Sequence, residues 1–207
     1  EFGRRFSGGG ASRIINRGLV SADRADLDLA IRADEFINEG ITEARDGGTL
    51  AVPFEQFQEW SNTGVIRAVN GGTLLLGGNT STGSLGTILN DGGTIRFTGL
   101  LDNGGSDFAV DAVTGSWIWG RGRDRPAIKG GTVTCADGAS LLGEDAVLEG
   151  VHVNGDVRLL PHASLMVRDN LSVSGTLLIE ERAGITFHET QGFVQGTMAF
   201  DGGPAAD

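Results

Sequence analysis

Residues 151–170 read VHVNGDVRLLPHASLMVRDN, residues 171–190 read LSVSGTLLIEERAGITFHET, and residues 193–200 read FVQGTMAF. Laid over one another, the three stretches are copies of one pattern. A glycine stands two residues after a valine in each: Val153 and Gly155, Val173 and Gly175, Val194 and Gly196. These glycines are 20 and then 21 residues apart. Apolar residues recur two places after each glycine, at Val157, Leu177 and Met198, and four places after it, at Leu159, Ile179 and Phe200. Leu165 matches Ile185 and Val167 matches Phe187, so the register carries into a further strand. Each segment alternates apolar with polar residues, which buries one strand face and leaves the other in water. A unit this short cannot close a core by itself, whereas stacked copies can.

The expected fold is therefore all-β, a right-handed parallel β-helix. It is read as a single elongated domain of about nine or ten coils, from a repeat of about 21 residues. The residues expected to point inward include Val153, Val157, Leu159, Leu165, Val167, Val173, Leu177, Ile179, Ile185 and Phe187.

The front of the chain carries a second version of the repeat. In INRGLVSADRADLDLA, INEGITEARDGGTLAV and SNTGVIRAVNGGTLLLGG, Asn16, Asn38 and Asn62 align, as do Gly18, Gly40 and Gly64 and then Ala22, Ala44 and Ala68. The pairs Gly47–Gly48, Gly71–Gly72 and Gly92–Gly93 read as turns that need positive φ or close packing between coils. The first coil lacks such a pair, so its turn is expected to differ. Residues 1–14 read as a flexible lead-in or partial first coil, residues 15–203 as the β-helix, and residues 204–207 as a tail. Within PFEQFQEW, Phe54, Phe57 and Trp60 are spaced three apart, but the segment is too short for a stable helix and lies between matching coils. An insertion or irregular strand is expected there. Residues 79–126 are the least regular, with strands in GTILNDGGTIRFTG and FAVDAVTGSWIWG but drifting spacing.

Composition agrees with a turn-rich β-fold: 35 glycines and four prolines in 207 residues fit many tight turns and neither a collagen period nor a proline-rich linker. The formal charge of −11 argues against a nucleic-acid partner, because phosphate binding needs a surplus of Lys and Arg. No apolar run is long enough to span a bilayer and no signal-peptide pattern opens the sequence, so no membrane insertion of this segment is expected. The single cysteine, Cys135, excludes an internal disulfide framework and reads as a small buried strand residue.

The phrases GVIRAVNGGTLLL, GSWIWG, IKGGTV and the run from VHVNGDVRL through LSVSGTLLI to GITF resemble repeats of large bacterial surface proteins, of the autotransporter and filamentous-haemagglutinin type with β-helical passengers. The resemblance covers about residues 15–203. It implies an exported bacterial protein, secreted or on the cell surface, of which this chain is one segment. GRGRDRPA, from Gly120 to Ala127, departs from the pattern by placing charged residues where small turn-forming ones are expected.

Residues that suggest chemistry are few. His152, His162 and His188 fall at different offsets in their repeats and form no column, so neither a metal nor a cofactor site is expected from them. The acids are dispersed. Asp26 and Asp28 are expected on the wet face of a strand whose other face carries Leu27 and Leu29, and Asp102, Asp107 and Asp111 are the other group to test for calcium. The most unusual composition is Trp117, Trp119, Arg121, Arg123 and Arg125. Alternate tryptophans followed by alternate arginines suit a stacking platform beside an anion site for an acidic polysaccharide; the competing reading is core tryptophans and a solvated basic turn. Two functions follow. One is a structural or adhesive module without catalytic activity, whose partners are neighbouring coils of a longer chain or other copies meeting at the solenoid ends. The other is a polysaccharide-binding or polysaccharide-degrading β-helix.

Overall fold

The computed structural model describes residues 12–53, 58–121, 125–188 and 193–201. The strands in it stack in parallel, coil upon coil, into a β-solenoid of about eight turns. The only short helix among the described residues is the 3₁₀ turn Thr82–Ser84. No helix among them is long and apolar enough to cross a membrane.

Three columns of strands run along the solenoid. The first begins with Arg13–Asn16, Glu35–Asn38 and Glu59–Asn62 and continues through Asn79–Ser81, Leu100–Asp102 and Ala127–Lys129. The second stacks Leu19–Ala22, Ile41–Arg45, Val65–Val69 and Thr87–Asp91 as a separate four-stranded sheet. Farther along, Asp107–Val110 pairs with Thr132–Cys135 in the larger sheet. The third runs from Asp28–Ala30 through Thr49–Val52, Thr73–Leu76, Thr94–Phe97 and Trp117–Trp119 to Leu141 and Val157. In the last coils, Leu141–Asn154 and Val157–Ile179 are continuous strands that run around corners of the solenoid. Positive φ at Gly150, His162, Asp169 and Asn170 allows the chain to turn there without leaving the sheet.

The register explains the core. Phe36, Trp60, Thr80, Leu101 and Ile128 follow one another in the first column, and Leu148 and Val167 extend the line. All are buried. In the third column Leu50, Leu74, Ile95, Trp117, Leu141 and Val157 stack in the same way. Because side chains alternate along a strand, an in-register stack repeats the inward set in every coil and yields one continuous narrow core. Of the inward residues expected from sequence, Val153, Val157, Leu159, Leu165, Val167, Val173, Leu177 and Ile179 are buried, and Ile185 and Phe187 pack half-buried against them.

Coil length is not constant, so the turns, about eight in all, are not the even stack that a fixed repeat of about 21 residues predicts. Register partners are 22 residues apart at Asn16 and Asn38, 24 at Asn38 and Asn62, 27 at Leu100 and Ala127, and 20 at His152 and Ser172. The longer coils use more of the chain per turn. Another expectation is corrected in the first coil. Leu27 precedes the strand Asp28–Ala30 and is exposed, while Leu29 is half-buried against the core, so the two leucines do not share a buried face. Phe54 and Phe57 lie outside the described residues, whereas Trp60 is a core residue whose indole N–H donates to the Gly77 carbonyl over 2.8 Å.

Candidate functional site

The aligned asparagines form a ladder inside the turn that follows the first strand column. Asn16 Nδ2 donates to Asn38 Oδ1 over 2.8 Å, and Asn38 Nδ2 donates to Asn62 Oδ1 over 2.8 Å. Each amide also donates to backbone of the next coil: Asn16 to the Ile41 carbonyl, Asn38 to that of Val65, and Asn62 to those of Leu85 and Thr87. Asn103 repeats the device lower down, donating to the carbonyls of Gly130 and Thr132 and accepting from Thr82 Oγ1. Buried amides satisfied in this way tie each turn to the next at a fixed register.

Five residues after each ladder asparagine, Ser21, Glu43 and Arg67 share another line. The Glu43 side chain is almost fully buried and meets Arg67 Nη2 at 2.6 Å, Ser21 Oγ at 3.0 Å and Arg45 Nη1 at 3.8 Å. Burial pushes the Glu43 carboxyl up, but hydrogen bonds from Arg67 and Ser21 and the charges of Arg67 and Arg45 outweigh it, so its pKa lies below the ordinary value. This is a structural ion pair between coils.

The tryptophan–arginine segment divides into core and surface. Trp117 is 0% exposed and Trp119 1%, and both sit in the third strand column with their rings inside the solenoid. Trp119 stacks on Phe97 of the preceding coil, with centroids 4.3 Å apart and planes 8° from parallel, and Phe108 meets Trp117 edge-on at 4.9 Å. Gly143 follows Trp119 in register, and a Cβ there would lie 2.6 Å from Leu159 Cδ2 of the next coil. Rings enclosed in this way present no face for a sugar, so the stacking platform expected from the alternating tryptophans is not formed at the surface. Arg121 Nε reaches Glu144 Oε1 at 2.8 Å, and Arg96 meets the other oxygen of the same carboxylate. Burial foremost, and then the charge of Arg121, lower the pKa of the Arg96 guanidinium. Arg125 is exposed, and Arg123 lies outside the described residues. The described part of the basic segment therefore has Arg121 held to an acid of its own chain.

The remaining polar candidates do not converge. His152 Nδ1 lies 3.0 Å from Ser172 Oγ, while His162 and His188 are exposed elsewhere. Asp102 accepts from the Gly104 amide, Asp107 from Thr134 Oγ1, and Asp111 from the Val113 and Thr114 amides, each stabilising its own turn or the next coil. Among the described residues no group of three His, Cys, Asp or Glu is placed to hold a metal ion. Burial raises the pKa of the Cys135 thiol, which packs half-buried against the core.

A cleft that the repeat pattern did not reveal lies on the outside of the first strand column. It encloses about 400 Å³ and is lined by Glu35, Glu59, Asn79, Ser81, Ser84 and Asp102, with Trp60, Ser61, Thr80 and Leu100 completing it. Glu35, Glu59 and Asn79 are successive register partners, as are Ser81 and Asp102. Arg13 Nε pairs with Glu35 at 2.7 Å, and Ser81 Oγ lies 2.9 Å from Ser84 Oγ. A signal was present in the sequence, since Glu35 and Glu59 each stand three residues before a ladder asparagine. Carboxylates, hydroxyls and an amide in one cleft offer hydrogen-bond acceptors to a polyhydroxylated or cationic ligand. Their spacing follows the strand separation of about 4.8 Å that recurs along the whole solenoid, so it is not in itself a catalytic geometry. No protein-family profile matches the chain, and neither a curated protein nor a solved structure is found to be similar to it.

Proposed function

We infer that the chain is a structural or adhesive repeat module of a large bacterial extracellular or cell-surface protein, wound as a right-handed solenoid and without catalytic activity. The observation that carries this reading is the direction in which the buried polar side chains bond. Asn16, Asn38, Asn62, Asn103 and Glu43 all bond to the next or preceding coil. Such bonds hold a stack together along its axis, as a spacing or force-transmitting element requires. The resemblance of the repeats to bacterial surface passengers supports the setting. In single-molecule stretching, the chain should resist as a unit and then release length in steps of one or a few coils. Purified and immobilised, it should retain cells or extracellular matrix without altering polysaccharides added to it. Turnover of any polysaccharide, lost on substitution of a single cleft acid, would overturn this reading.

The second reading is a polysaccharide-binding surface, and the cleft lined by Glu35, Glu59 and Asp102 favours it. Its acidic lining suits a neutral or amino-bearing glycan better than the acidic one suggested by the arginines. A glycan array probed with the chain and with the Glu59→Gln and Asp102→Asn variants tests it. Binding that both variants lose supports the second reading.

A further inference from the structure

The first coil presents a surface built like the interior contacts between coils, with no described residue laid on it. Three features share that surface. The glycine column is the first. A Cβ on Gly40 would lie 2.3 Å from the Gly18 carbonyl oxygen, and one on Gly64 would lie 2.1 Å from that of Gly40. Glycine is required at both because the carbonyl of the preceding coil occupies the space, and neither needs a positive φ. Gly18 has the same place in the repeat, yet among the described residues nothing lies within 4 Å of where its Cβ would be.

The asparagine ladder is the second. Oδ1 of Asn38 and of Asn62 each accepts from the asparagine one coil earlier. Among the described residues, Asn16 Oδ1 accepts only from the Gly18 amide of its own turn, so the ladder is open on this side. The backbone is the third. The Ile41 amide donates to the Gly18 carbonyl at 2.8 Å and the Val65 amide to that of Gly40 at 2.9 Å, which leaves the Leu19 amide as the next member of the series. Leu19 itself is 62% exposed, and Ile15 and Leu27 of the same coil are exposed as well.

We propose that this face is a docking surface for one more coil of the Asn-any-Gly type, laid on in parallel register. Its asparagine Nδ2 donates to Asn16 Oδ1, and its glycine carbonyl lies against Gly18 and accepts from the Leu19 amide. The proposal continues an interface already repeated twice in the chain, between the first and second coils and between the second and third. A second copy stacked end to end does not meet the requirement, because residues 171–201 contain no asparagine to complete the ladder. The inference rests on the reading of the chain as a module within a larger assembly.

The probe is a duplicate of Arg13–Ala33 inserted ahead of Ser12 in the whole chain. Amide exchange of Leu19 should be fast in the chain as it stands and slow to the rate of Ile41 in the extended chain, since unpaired edge amides exchange freely and paired ones do not. Gly18→Ala should leave the melting temperature of the present chain unchanged and lower that of the extended chain as Gly40→Ala does. If Leu19 exchange stays fast, or Gly18→Ala is silent in both chains, the added coil does not stack and the proposal fails. A concentration-dependent dimer of the present chain that Leu19→Glu abolishes would also overturn it, by placing a second copy on this face. Failure here with the stepwise mechanical response intact would leave the scaffold reading standing.

Discussion

Asn38 Nδ2 donates to Asn62 Oδ1 over 2.8 Å while Asn38 Oδ1 accepts from Asn16 Nδ2 over 2.8 Å, so one buried side chain closes hydrogen bonds to the coil on either side. Replacing Asn38 by Ala leaves the Asn16 donor and the Asn62 acceptor without their ladder partner. A loss of about 3 kcal/mol is expected in urea unfolding. Asn38→Asp should be no better than Asn38→Ala, because its carboxylate faces an acceptor at Asn62.

Face assignment is tested in one coil. Val173 is fully buried, and Ser172 beside it is half-buried with its hydroxyl near His152. Val173→Asp puts an unpaired carboxylate into the core and should lower the melting temperature sharply. Ser172→Asp should change it little. Equal effects would mean that the two side chains do not lie on opposite faces.

Glu43 makes stability depend on pH. Its pKa is lower in the folded chain than in the unfolded one, so its contribution is present above the ordinary carboxylate range and is lost as pH falls through the folded value. Thermal unfolding followed from neutral to acidic pH should show a decline that is shallower in Glu43→Gln. Asp46, held down by hydrogen bonds from Asn70 and Arg45, is lost in the same direction, so Asp46→Asn is the control for residual slope.

The enclosed tryptophans make two measurable claims. Trp60, Trp117 and Trp119 are all buried, so iodide should quench the fluorescence weakly, and an acidic polysaccharide should not change that. Trp119→Ala removes the ring stacked on Phe97 and should cost about 3–5 kcal/mol, reduced where neighbouring side chains relax into the space. Strong quenching of the intact chain would contradict the core placement.

Periodicity alone determined the solenoid, because a strand's two-residue alternation, repeated at a nearly constant interval, buries its apolar face most simply by stacking copies of itself. The alignment of Asn16, Asn38 and Asn62 likewise put the ladder residues in one line from their spacing alone. Which polar groups meet was settled only by stacking. In sequence, Trp117 and Trp119 look the same as core residues or as a platform, since alternation marks the shared face of a strand without saying whether that face is the inner one. Neighbouring coils decide this, by placing Phe97 on one side of Trp119 and Gly143 on the other. The cleft at Glu35, Glu59 and Asp102 also exists only in the stack: Glu59 and Asp102 are 43 positions apart in the chain and are brought to one surface by two intervening turns whose lengths no local pattern specifies.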